Sequence, residues 1–82
     1  MKEDDIWHRV TLVFRDTFED DEIVLSPEMT ADDIEDWDSL TNIQLLVAIE
    51  KAFPGLKFST GEIAQLRNVG DLISVIHKQL ST

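Results

Sequence analysis

Apolar residues in this chain recur at helical spacing in three separate blocks, and no alternating apolar–polar run exceeds a few residues. The first block holds Ile6, Trp7, Val10, Leu12, Val13, Phe14 and Phe18. At about 100° per residue, all but Leu12 fall within an arc of about 140°, the pattern of an amphipathic helix. Glu3, Asp4 and Asp5 stand at its start, where carboxylates suit the positive end of the helix dipole. The second block runs from Ser39 to Phe53, with Asp38 or Ser39 able to cap it and Pro54-Gly55 to stop it. Its Leu40, Ile43, Leu45, Leu46, Val47, Ile49 and Phe53 cover nearly the whole circumference, so that Thr41, Gln44 and Lys51 make the only clear polar stripe. Such a helix either packs on several neighbours or leaves an apolar face for a partner. Ser59-Thr60-Gly61-Glu62 matches a capping box and predicts a short helix to about Leu66. Asn68 can cap a last helix, on which Val69, Leu72, Ile73, Val75, Ile76 and Leu80 share one face and Lys78 sits near the C-terminal end.

Residues 19–38 lose this period. Glu19-Asp20-Asp21-Glu22 would repel itself inside a helix, and Ser26-Pro27-Glu28 offers a cap and a proline suited to a single turn. A connection this long is unusual in a small domain and is often functional. Ile23, Leu25, Met29, Ile34 and Trp37 are the residues expected to pin it to the core. The expected fold is all-α: a small four-helix bundle of three longer helices and one short one, with a long loop between the first two, residues 1–82 forming one domain.

Charge narrows the partners. The chain has 17 acids, 7 Lys and Arg, and a net charge of −10. Residues 1–38 hold 14 acids and 3 bases, whereas residues 39–82 hold 3 acids and 4 bases. Nucleic acid and anionic membrane surfaces would repel such a chain, and a basic partner surface would attract it. No apolar run approaches the roughly 20 residues of a membrane span. There is no cysteine, which removes disulfides, thiolate nucleophiles and cysteine metal sites and fits a reducing compartment. The N-terminus, Met1-Lys2-Glu3-Asp4-Asp5, is acidic where a signal peptide would be basic and then apolar, so a cytoplasmic location is expected.

Few residues could carry chemistry. His8 and His77 lie near opposite ends of the chain and neither has a ligand-spaced neighbour, so no metal site is expected. The acidic stretch Glu19 to Glu22 lacks the Asp-x-Asp-x-Asp-Gly order of a calcium loop. Three glycines make no phosphate-binding loop, and nothing points to a self-contained enzyme or to catalytic residues. One position stands out. In Asp38-Ser39-Leu40 the serine lies at the mouth of a helix after a long acidic loop, where a phosphoester would face the positive end of the dipole. Taken alone, the tripeptide reads equally as an ordinary helix start.

Its surroundings extend the pattern. Glu35-Asp36-Trp37-Asp38-Ser39-Leu40, with Ile43, Leu46, Glu50 and Phe53 at helical spacing, resembles the modification-site helix of acyl carrier proteins. Val69-Gly70-Asp71, opening the last helix, matches the same family, as do the length, the acidity and the long first loop. The resemblance spans essentially the whole chain and implies a carrier rather than an enzyme. A phosphopantetheinyl transferase would move 4'-phosphopantetheine from coenzyme A onto Ser39, and the terminal thiol of that arm would carry an acyl group as a thioester. A chain without cysteine would thereby acquire its thiol. By the same resemblance Asp38 helps dock the transferase. Leu40, Ile43 and Val47 match the apolar part of a partner-facing surface, Glu50 is counted with them and Asp38 among the recognition residues, and Leu46 and Ile49 line the core into which a cargo folds back.

Departures from the family pattern bear on the pathway. Asp36-Trp37 replaces the Gly-Ala of many fatty-acid carriers, and Gln44 and Lys51 stand where acids are usual. Glu50 is the single acid of the second helix, and the acid density lies before it, at Asp32, Asp33, Glu35 and Asp36. Trp-Asp-Ser-Leu is similar to stand-alone carriers of specialised pathways, which are favoured here over general fatty acid synthesis; aminoacyl or D-alanyl carriers are the alternative. The implied partners are the transferase and acyl-activating or acyl-transferring enzymes with basic surfaces, acting on a monomer. A reading from another class is an unmodified helical adaptor that binds protein through the apolar face of the second helix.

Overall fold

The computed structural model of the chain describes residues 2–34 and 36–80, and Glu35, placed above among the acids before the second helix, lies outside them. Four α-helices follow one another: α1 (Glu3–Thr17), α2 (Ser39–Ala52), α3 (Thr60–Gln65) and α4 (Val69–Leu80). No strand occurs among the described residues. This is the expected all-α bundle of three longer helices and one short one.

α1 buries Ile6, Val10 and Phe14, spaced four apart, so that they stack down one face. Trp7, Val13 and Phe18 pack beside them, and Leu12, the residue off the arc, is 48 % exposed. α2 contributes Leu45, Leu46 and Ile49 to the same core. It ends at Ala52 rather than Phe53, because Phe53 precedes Pro54 and is pushed out of helical geometry (φ −123, ψ 89). Phe53 is nonetheless buried, and Gly55 at φ 92 turns the chain away. Arg9 of α1 closes this end: its guanidinium lies 5.3 Å from the Phe53 ring centroid, and Nη1 donates to the Ala52 carbonyl at 3.0 Å.

The long loop is held on the core by the five residues expected, Ile23 and Ile34 buried, Leu25, Met29 and Trp37 partly so. The turn at Ser26 forms, with the Met29 N–H donating to the Ser26 carbonyl at 3.2 Å, yet the helical turn of the loop comes later, at Ala31–Asp33. Thr30 caps that turn, accepting from the Asp32 N–H, while Asp33 reaches back to the Thr30 N–H at 3.0 Å. The signal was in the sequence as Thr30-Ala31-Asp32-Asp33, a capping box with Asp in place of Glu.

α3 starts as its sequence predicted. The Glu62 N–H donates to Ser59 Oγ at 3.2 Å and the Ser59 N–H to Glu62 Oε1 at 3.0 Å. None of its own residues is buried, and Leu66, just after it, anchors it to the core. Asn68 caps α4, taking the Asp71 N–H at 2.8 Å. Val69, Leu72, Ile73 and Ile76 are buried, whereas Val75 lies about 120° from the Val69 position around the helix and stays half-buried outside the core cluster. The loop supplies acceptors to the start of α4: the Val69 N–H donates to the Met29 carbonyl at 2.9 Å and the Gly70 N–H to the Pro27 carbonyl at 3.0 Å.

Candidate functional site

The sequence left the cap of α2 to either Asp38 or Ser39, and the structure assigns it to Asp38. Asp38 adopts extended backbone, and its Oδ1 accepts both the Thr41 N–H and the Thr41 hydroxyl, each at 2.9 Å. These bonds, the backbone one foremost, hold the Asp38 carboxyl below the ordinary carboxylate range. The assignment has a consequence one residue on. Ser39 is the first helical residue, exposed, and its hydroxyl makes no hydrogen bond to any described residue. A capping serine would have spent that oxygen on the backbone.

Trp37 positions the approach to Ser39. Its N–H donates to the Ile34 carbonyl at 3.1 Å, and its indole Nε1 donates to Asn42 Oδ1 at 3.0 Å. Its ring stands edge-on to Phe14, with centroids 5.3 Å apart and planes at 86°. The last residues of the loop are thus tied to both α1 and α2.

Beside Ser39 opens a cavity of about 320 Å³, walled by Trp37, Leu46, Leu66 and Leu72 and bordered by Asn42 and Arg67. Leu46 lines it as the resemblance implied; Ile49 is fully buried and takes no part in its wall. Sequence reasoning gave Asn42 and Arg67 no role, and no linear spacing could bring Arg67, on the α3–α4 connection, beside Ser39.

Below Ser39, Leu40, Ile43 and Val47 are 68 %, 60 % and 43 % exposed, at the spacing that aligns them on one face of α2. Asp38 and Ser39, just before them, are exposed too. Glu50 continues the same stripe about 16 Å along the axis from Ser39. It does not join that surface as a free charge: half-buried, its Oε2 accepts the Phe58 N–H at 2.9 Å and holds the segment leading into α3. Asp32, Asp33 and Asp36 are exposed, although Asp33 is engaged by Thr30. Among the described residues no three His, Cys, Asp or Glu side chains are grouped to hold a metal ion, and no helix is long and apolar enough to cross a membrane.

No protein-family model matches the chain. No curated protein matches it either. Its structure is similar to the solution NMR structure of a holo acyl carrier protein from Geobacter metallireducens, with a TM-score of 0.84 and 43 % sequence identity. The match covers 92 % of this chain and 85 % of that one. A fold and a sequence shared to this extent along nearly the whole length show that the chain belongs to the acyl carrier protein family.

Proposed function

We propose that this protein carries acyl intermediates on a 4'-phosphopantetheine arm attached to Ser39. The observation that carries this reading is the Ser39 hydroxyl, exposed and without a hydrogen bond among the described residues, Asp38 having taken the cap. The residues present suit the group. A phosphodiester on Ser39 meets the positive end of a helix of 14 residues, and a cavity adjoins it. In the loading step Ser39 Oγ attacks the pantetheine-bearing phosphorus of coenzyme A. The Oγ–P bond forms, the pyrophosphate P–O bond breaks, adenosine 3',5'-bisphosphate leaves, and the hydroxyl proton passes to a base on the transferase. The arm supplies a thiol for thioester chemistry. The chain itself supplies attachment, orientation and recognition.

Recognition falls to Asp38, Leu40, Ile43 and Val47. With Gln44 and Lys51 on α2 and the Glu50 carboxylate turned to Phe58, the exposed face of that helix is apolar rather than acidic. This favours partners of a specialised pathway that read the apolar face, with the acids of the preceding loop attracting their basic surfaces.

Intact mass after incubation with coenzyme A and a broad-specificity transferase tests the reading. A gain of one phosphopantetheine that maps to Ser39 and is lost in Ser39→Ala is the expected result. Leu40→Ala and Ile43→Ala should slow loading without lowering the melting temperature. A chain that gains nothing is an unmodified adaptor binding protein through Leu40, Ile43 and Val47, and overturns the proposal.

A further inference from the structure

The cavity beside Ser39 has a hydrogen-bonding inventory that attachment of an arm does not use. Two of its polar side chains are amides whose orientation is set by their own bonds. Asn42 Oδ1 accepts from Trp37 Nε1 at 3.0 Å, and Asn68 Oδ1 accepts from the Asp71 N–H at 2.8 Å. An amide whose oxygen is engaged presents its NH2. Arg67 is the third. Its backbone N–H donates to Asp71 Oδ2 at 3.1 Å, but its guanidinium has no hydrogen bond or ion pair with any described residue. A guanidinium only donates. Asp38, the acidic side chain in the lining, has Oδ1 occupied by both Thr41 donors. In a chain of net charge −10, the cavity therefore combines apolar walls, two amide side chains whose oxygens are engaged, the Asp38 carboxylate and a guanidinium without a partner among the described residues.

We propose that this cavity selects a cargo whose distal end is a carboxylate, with Arg67 as the specificity-determining residue and the Asn42 and Asn68 amides as supporting donors. The inference rests on attachment at Ser39. The methylenes of a short dicarboxylic acyl group would lie against Leu46, Leu66 and Leu72, and its free carboxylate would accept from the guanidinium, a charge-assisted pair with planar complementarity. A neutral alkyl cargo would offer the guanidinium no acceptor. An ammonium-ended aminoacyl cargo would be repelled by the Arg67 cation, with the Asp38 carboxylate as its one counter-charge in the lining.

The test loads the full chain with succinyl, butyryl or β-alanyl arms by transferring them from the corresponding coenzyme A thioesters. Succinyl and butyryl have the same number of carbons and differ in the distal carboxylate. Each hydrolysis rate is normalised to the same thioester on free pantetheine. The succinyl form should hydrolyse more slowly than the butyryl form by up to about fivefold, the range of a partly exposed ion pair. It should also shift the Trp37 indole N–H resonance. Arg67→Gln should abolish both differences and Arg67→Lys should restore part of them. Equal protection of the three cargoes, or a succinyl preference untouched by Arg67→Gln, overturns the proposal. So does an Arg67 side-chain resonance that shifts fully on arm attachment and no further with succinyl, since the cation would then pair with the arm's phosphate. Absence of any mass gain at Ser39 overturns the attachment reading and this one with it, whereas loading without a succinyl preference overturns this one alone.

Discussion

The Trp37 indole donates its N–H to Asn42 across the start of α2, at 3.0 Å, while its ring packs edge-on against Phe14. One side chain thus ties the end of the long loop to two helices and sets the backbone that leads into Ser39. Trp37→Phe keeps an aromatic ring but leaves the Asn42 oxygen, in a half-buried side chain, without that donor. The expected loss is about 1 kcal/mol, or about 4–8 °C in melting temperature for a domain of this size. A double-mutant cycle with Asn42→Ala should return a coupling of about 0.5–1.5 kcal/mol, and additive single effects would show that the bond contributes nothing.

Phe53 anchors the far end of α2, with 1 % of its surface exposed and Arg9 against its ring. Phe53→Ala should cost about 3–5 kcal/mol, a large share of the stability of a small domain. Urea unfolding monitored by circular dichroism measures it. A cost below about 1 kcal/mol would contradict burial of Phe53.

The first turn of α4 leaves no space above Gly70, where an added Cβ would lie 3.0 Å from the Pro27 carbonyl oxygen. That carbonyl accepts the Gly70 N–H, so Gly70→Ala must push the loop and the helix apart. Hydrogen exchange at the Val69 and Gly70-position amides should accelerate, and the melting temperature should fall although alanine is the better helix former. Unchanged exchange at both amides would mean that the loop yields without loss of its bonds.

Two carboxyls are held below their ordinary range, Asp38 by the Thr41 N–H and hydroxyl, and Glu62 by the Ser59 N–H first, then its hydroxyl, the Gln79 amide and the Lys78 charge. A lowered folded pKa adds stability that is present above the unfolded value, about 4, and is lost as pH falls through the lower folded value. Asn and Gln at these positions keep hydrogen-bonding capacity but do not titrate. The Asp38→Asn/Glu62→Gln double variant should therefore lose less melting temperature than the parent between about pH 6 and pH 3. Parallel pH profiles would remove these two groups from the acid dependence.

With 14 acids in residues 1–38, the compact state carries like-charge repulsion. Salt shortens its range to about 10 Å at 0.1 M. The melting temperature should rise with added salt, while loading by a basic transferase slows. Thermal melts and loading rates over one salt series test both trends, and a flat melting temperature would show the acids too well solvated to strain the fold.

Local rules determined much of this protein from the chain itself. The stack of Ile6, Val10 and Phe14, the Ser59–Glu62 capping box and the Asn68 cap each depend on contacts within a few residues, so spacing and residue type suffice to read them. The position of Ser39 at a helix mouth was legible for the same reason. Tertiary structure decided what depended on distant partners or on competition between equal local choices. Asp38 and Ser39 were both competent caps, and the choice of Asp38 emerges only with the bonds to Thr41. α2 was apolar almost all round, and only packing against α1 and into the shared core separated the buried Leu45, Leu46 and Ile49 from the exposed Leu40, Ile43 and Val47. Glu50 lies on the same stripe as Val47, yet the fold brings the Phe58 N–H to its carboxylate. Arg67 meets the surroundings of Ser39 because the α3–α4 connection and the start of α4 line the same cavity as the first turns of α2, a closure that no periodicity records, since it is set by how helices pack and not by how each one forms.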